Sequence, residues 1–350
     1  MRRLFYILFL SVFFSVNICA STPTEEGEKI NVKEIIFDHI GDSYEWHITS
    51  VNGKHISIPL PIILFSEQSG FHMFMFSVFH HEESFKGFRI GEKDGKYAGK
   101  IVEVNAQGEE VRPWDFSLTK NALALIINCL LLVFIVLWVA KWYKKKPMEA
   151  PKGFRGVMEM LIMSVHDDII KPCVGKDYKK YAPYLLTAFF FIFFNNIMGL
   201  IPIFPGGANT TGNIAVTIVL GLCTFFAVNI FGTKEYWKEI LWPEVPTWMK
   251  APIPLMPVIE LFGIFTKPFA LIIRLFANIM AGHSIVLGLT CLVFITAQMG
   301  EVVNGSMTVV SVLFSIFMNC LELLVAYIQA YVFTMLSSVF IGLSRVESHH

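Results

Sequence analysis

Two apolar segments close the chain, residues 256–298 and 307–343, with only the polar turn "GEVVNG" (300–305) between them. A membrane span needs roughly 20 apolar residues. Each segment far exceeds that length, so the pair must tilt strongly or run partly along the membrane. Composition agrees. Charged residues make up 16% of the chain and hydrophobic ones 54%, whereas a soluble chain carries about 25% charge. The mean hydropathy is +0.57. Net charge is zero, so nothing suggests nucleic acid as a partner. The expected fold is an all-α polytopic membrane protein in contact with lipid. It has about five membrane helices, the last two a long tilted hairpin, and a small β-rich extracytoplasmic N-terminal domain.

The opening "MRRLFYILFLSVFFSVNICA" has two arginines, an apolar run and then small or polar residues. That pattern reads as a signal peptide over residues 1–20, with cleavage after Ala20. Ile18 at the minus-three position keeps an uncleaved anchor open, and Ile18 ahead of Cys19 argues against a lipoprotein signal. In either case the next segment is exported. That segment, residues 21–116, is polar and mixed. "WHITSVNGKHISIP" alternates around Asn52-Gly53, a type I′ hairpin signal, and Asp94-Gly95 is a second turn candidate. Its six histidines (His39, His47, His55, His72, His80, His81) lack tight metal-ligand spacing and read as solvated or structural.

Residues 117–350 form the membrane domain. The first span, Leu118 to Ala140, ends in "KWYKKK"; Lys141, Lys144, Lys145 and Lys146 assign that end to the cytoplasm. Residues 153–170 have helical periodicity with charges on one side, a helix at the cytoplasmic surface whose wet face carries His166, Asp167 and Asp168. Spans at about 182–204 and 214–231 flank the uncharged outer loop "PGGANTTGN". "GTKEYWKEILWPEVPTWMK" is cytoplasmic or interfacial, and the chain ends inside near Arg345. Cys129, Cys223, Cys291 and Cys320 sit in apolar runs, Cys173 in a polar stretch and Cys19 in the leader. No pair has metal-ligand spacing, so all read as small packing residues.

The segment "PFALIIRLFANIMAGH" places Arg274 among apolar residues. A charge at the bilayer centre costs about 2.5–3.5 kcal/mol on insertion scales, and a guanidinium does not lose its proton. Wound as a helix, Ala270, Arg274, Ala277, Ala281, Ser284 and Gly288 share one face, small except for the arginine. Small faces let another helix approach closely in lipid. Static packing would need no arginine; a guanidinium there suits a passing partner that carries a negative group. In the last segment Ser315, Asn319, Glu322, Ala326 and Gln329 also share a face, a polar stripe on an apolar helix. An antiparallel hairpin centred on the 300–305 turn sets His283 opposite Glu322 and Arg274 opposite Gln329. Arg274 cannot titrate, whereas His283 and Glu322 both can, so together they describe a proton path interrupted by a fixed positive charge.

"RLFANIMAGH", the preceding "TKP", "NNIMGLIP" (Asn195–Pro202) and "LELLVAYIQAYVFTML" resemble subunit a of F-type ATP synthases over about residues 118–345. The 21–116 segment is similar to the extended exported N-termini of Bacteroidetes-type versions. The resemblance implies a proton-translocating stator subunit of the rotary motor, with two half-channels facing a ring of c subunits. Arg274 matches the family's essential arginine, and Asn278 and Gln329 its amide positions. His283 and Glu322 look like the arrangement with histidine on the arginine helix and the acid on the last helix. The implied partners are the c ring, b-type peripheral stalk subunits and, indirectly, the catalytic F1 sector. The implied location is the bacterial inner membrane, with the N-terminal domain periplasmic and the C-terminus cytoplasmic. No cofactor or metal is implied, and no Walker loop is present, so nucleotide chemistry belongs to other subunits. Protons are favoured over sodium because the His283–Glu322 pair titrates. A stand-alone transporter would more often show an internal repeat with paired broken helices. An intramembrane hydrolase lacks its motif here, since His81-Glu82-Glu83 has no second histidine.

Overall fold

The computed structural model describes residues 41–51, 54–80, 82, 84–91, 97–105, 110–201, 206–241, 255–296 and 301–345. The leader, the Asn52-Gly53 and Asp94-Gly95 turns, His39 and His81 lie outside them. The chain divides into two compact units, one running to Ile127 with Ile201–Ala208 added, the other holding the rest.

Among the described residues the first unit contains nine short strands. β1 (Glu45–Val51) and β2 (Lys54–Pro59) pair antiparallel, and Val51 opposite Lys54 leaves a two-residue connection, the hairpin the alternation predicts. β3 (Pro61–Ser66) is central in a second sheet, between β4 (Gly70–Met75) and β9 (Trp114–Asp115). β5 (Ser84–Phe85), β6 (Phe88–Ile90), β7 (Ile101–Val104) and β8 (Glu110–Val111) form a third in chain order. Period-2 alternation sends Ile62 and Leu64 of β3 inward, where they join Tyr44, Phe88 and Ile101 in the core. His72 stacks edge-on against Phe88, and His80 Nε2 lies 3.0 Å from Glu45 Oε2. Both are structural contacts. Among the described residues no three His, Cys, Asp or Glu side chains converge as a metal site would require.

The Tyr44 hydroxyl donates to the Asp115 carboxylate inside this unit. Burial first, and that carboxylate second, push the phenol well above its ordinary range. No linker separates strands from membrane helix. Phe116 and Leu118 donate backbone N–H groups to the carbonyls of Ile63 and Pro61. Asp42 accepts from the Asn121 amide, capping α1 (Lys120–Lys145) from the far end of the unit.

In lipid every backbone polar group must be satisfied within the protein, so the remaining apolar runs fold as helices. α2 (Phe154–Met163) passes without interruption into a π-helical turn, Ser164–Ile170. The residues expected on the wet face behave as such: Asp167 and Asp168 are exposed and His166 pairs with its neighbour Asp167. After α3 (Lys171–Val174), Gly175 takes φ +75° and turns the chain into α4 (Tyr178–Leu200). α5 (Ile214–Ile230) is capped by Asn213 and followed by the sharply bent α6 (Lys234–Leu241). α7 (Leu255–Thr296) and α8 (Glu301–Ser344) run for 42 and 44 residues. Among the described residues four helical stretches are long and apolar enough to cross a membrane, or five if α5 and α6 count as one. One expectation is corrected here. Glu301–Gly305 is the first turn of α8, not a loop, because the polar side chains there do not stop a helix that Gly305 alone only weakens.

Two glycines set helix separations. A Cβ on Gly221 would meet the side chain of Ile272 on α7 at 2.4 Å, and one on Gly342 would lie 2.0 Å from the Cys173 carbonyl oxygen of α3. Side-chain atoms can yield but a backbone carbonyl cannot. Gly342→Ala should therefore destabilise the subunit by about 1–3 kcal/mol, the usual cost of overpacking, and Gly221→Ala by less. Thermal unfolding of the two variants in detergent checks the order, which reverses if Gly342 is not tightly enclosed.

Candidate functional site

The site is built on the α7–α8 hairpin, and three side-chain rungs fix its register. Near the turn Thr296 Oγ1 approaches Asn304 Oδ1 at 3.4 Å. Next, His283 Nδ1 lies 3.3 Å from Glu322 Oε1. Farther along, Asn278 Nδ2 donates to Gln329 Oε1 at 2.9 Å. Residue numbers rise on one helix as they fall on the other, so the pair is antiparallel. The His–Glu opposition matches the sequence register. The Arg–Gln opposition does not: Gln329 is engaged by Asn278, a full turn closer to His283. Arg274 and Asn278 are both exposed and, four residues apart, share one face of α7, so it is the height along the helix that gives Gln329 to Asn278.

On α7 the residues Leu271, Leu275 and Ile279 are buried at steps of four and carry the helix against the interior. Arg274 is on the other side. It is exposed, as are Ala270, Ala277 and Ala281 around it. Among the described residues it makes no ion pair or hydrogen bond. Among the described residues nothing covers the part of the small face around the guanidinium, Ala270, Ala277 and Ala281, whereas Ser284 and Gly288 farther along are half-buried.

Glu322 is buried, at 6% exposure, while His283 retains 21%. The carboxylate fits because Gly282 has no side chain. A Cβ there would meet Glu322 Oε1 at 2.9 Å and Cδ at 3.1 Å. Along the polar stripe of α8, Gln329 and Ala326 are buried. Ser315 and Asn319 are half-buried, and Asn319 Nδ2 bonds back to the Ser315 carbonyl on its own helix.

Sequence reasoning missed a second polar cluster. On α4, Asn195 accepts from Asn128 of α1 and from Thr210, each at 3.0 Å. Its neighbour Asn196 accepts from Thr211 at 2.6 Å and reaches the Ala326 carbonyl of α8 at 3.5 Å. Adjacent amides inside the apolar run "FFNNIMG" were the available signal, since buried amides require partners. Gly282 was visible only as a small residue beside His283.

A polytopic helical protein is thereby defined whose last two helices hold a permanent cation on an open face and a buried acid against a histidine. Residues 122–342 match the family model described as ATP synthase A chain. Residues 35–116 match a separate model described as a domain of unknown function. The chain is 43% identical over 252 residues to "ATP synthase subunit a 2" of Chlorobaculum tepidum, covering 70% of this chain and 68% of that one. It is 40% identical over 243 residues to "ATP synthase subunit a" of Chlorobium phaeobacteroides, 68% of each chain. With "ATP synthase subunit a" of Myxococcus xanthus it shares 36% identity over 283 residues, 77% of this chain and 87% of that one. The chain belongs to the ATP synthase A chain family, subunit a of the F0 sector.

Proposed function

We propose that this chain is the proton-translocating stator subunit of F0 and offers two half-channels to a ring of c subunits, with Arg274 between them. The observation that carries the reading is the 3.3 Å approach of His283 to Glu322 on the hairpin whose uncovered face bears Arg274. Protons enter from outside along Ser315, Asn319, Glu322 and His283, and pass to a carboxylate on the ring. The Asn278–Gln329 bond orients the two helices beside Arg274. The ring turns, the carboxylate meets the guanidinium, and its proton leaves by the second channel. The ion is a proton rather than sodium because the relay is a titratable pair. b-type stalk subunits hold the stator, and F1 couples through them. The N-terminal domain, residues 21–116, is periplasmic after a signal peptide over 1–20. The membrane domain is 117–350, with its C-terminus in the cytoplasm.

Affinity purification of the tagged chain from native membranes tests the reading. Recovery with a c-type proteolipid and an ATP-hydrolysing sector supports it; recovery as a single species that conducts ions alone overturns it. The exported domain is peripheral to transport, since Arg274, His283 and Glu322 all follow residue 260. Deleting residues 25–110 with the leader retained should leave an enzyme that still pumps, at reduced yield. A fully assembled complex that does not pump would contradict this.

A further inference from the structure

We propose that the outer face of the β4-β3-β9 sheet lies in the lipid headgroup and upper acyl layer of the leaflet where α1 begins. This goes beyond the transport reading and requires only that α1 spans the membrane. The sheet has one face filled by the domain's own core, through Ile62 and Leu64. An antiparallel sheet with one covered face normally shows polar residues on the other. Here the second face carries Phe65, Phe71, Met73, Met75, Trp114 and Phe116, all exposed, at 44–67% of their surface. They form one patch. Phe65 stands directly opposite both Phe71 and Trp114, Ile63 lies opposite Met73, and Met75 opposite Pro61. The outward residues of the strand "GFHMFM", Phe71, Met73 and Met75, are therefore all apolar, as in strands whose outer face is covered. A patch of this size on an exported domain facing water would be an aggregation hazard.

Lipid is the occupant that the connectivity favours. Phe116 precedes the first residue of α1, Lys120, by four positions, which at full extension is at most about 14 Å. The intervening backbone is pinned, because Phe116 and Leu118 bond to β3, and Lys120 and Asn121 bond to Ser43 and Asp42. The sheet cannot swing away from the helix that enters the membrane. Within the same unit α1 also exposes the apolar side chain of Ile126. Tryptophan and other aromatic side chains concentrate at the membrane–water interface, where an apolar ring with a polar edge is best accommodated.

The test uses the full-length chain in the assembled enzyme, reconstituted into vesicles, with native cysteines replaced. Single cysteines at Met73, Phe71 or, as a control, exposed Ser84 on β5 carry an environment-sensitive fluorophore. Brominated phosphatidylcholine is the quencher. Loss of fluorescence at positions 73 and 71, with none at 84, is expected. Unquenched probes at 71 and 73 that are shielded from aqueous quencher only in the assembled complex would overturn the proposal in favour of a protein partner. Unquenched probes open to water in both the complex and the isolated subunit would overturn it in favour of a free surface.

Discussion

Arg274→Ala is expected to abolish ATP synthesis and ATP-driven pumping while passive proton conductance through F0 persists or rises. The side chain is exposed on a face of small residues and has no partner among the described residues, so its removal leaves no internal cavity. The loss should therefore be functional rather than structural. A fixed cation at low dielectric favours the ionised form of a carboxylate brought next to it. On the proposed reading it thereby drives release of the rotor's proton on the exit side. The same charge opposes a proton that would cross directly between channels. Each charge crossing 100 mV releases about 2.3 kcal/mol, so a leak that bypasses the rotor dissipates the whole driving force. Arg274→Lys keeps a charge but is shorter, lacks the planar fork, and can lose its proton when desolvated. It should also be severely impaired. Paired measurements of ATP synthesis and passive proton flux in vesicles decide the matter. Normal coupled synthesis by the alanine variant would defeat the mechanism.

Removing either member of the His283–Glu322 pair should slow proton entry by an order of magnitude or more without opening a leak. General acid–base groups contribute roughly 100-fold or more where a proton must be handed on. Glu322→Gln is the informative variant, because it keeps the shape above Gly282 and removes only titration. Exchanging the two residues should retain more activity than deleting either, since the relay needs two titratable groups and not a given order. Gly282→Ala reaches the same carboxylate from the backbone side and should slow entry as well. Cysteines at 283 and 322, or at 278 and 329, should cross-link more readily than pairs displaced by one turn. Unimpaired pumping by the double alanine variant would remove the pair from the path.

The helices were legible because apolar length in a membrane leaves the backbone few choices. The polar stripes were legible because side chains at steps of three and four must share a face. What the sequence could not specify was the offset along the helix axis to within one turn. Arg274 and Asn278 share the exposed face of α7 and both stand near Gln329, and a shift of about 6 Å along the axis decides that Asn278 is the one that reaches it. The start of α8 escaped for a different reason, since a short polar run is compatible with a turn or with a helix that ends at a membrane surface. Gly282 escaped because a missing side chain has no periodic signal. In the N-terminal unit alternation located the first hairpin, but the apolar outer face of "GFHMFM" is apparent only when the sheet is seen to cover one side alone.

The rungs between α7 and α8 bear on mechanics as well as chemistry. At 1.5 Å per residue, helices of 42 and 44 residues are about 63 and 66 Å long. A single helix of that length bends readily under a sideways push. Two that are stitched at Thr296–Asn304, His283–Glu322 and Asn278–Gln329 behave as a laminated strut, because bending one requires sliding it along the other. On the proposed reading, a rotor that presses on Arg274 loads this strut, which pushes back with the same force. If the strut yielded, the guanidinium would drift with the passing carboxylate and the torque would be lost as elastic recoil. On the proposed reading, the pair that relays the proton is thus also one of the three stitches that keep the stator from flexing. Loosening the Asn278–Gln329 stitch alone, which leaves every titratable group in place, should lower the load against which the motor can turn before it lowers the unloaded speed.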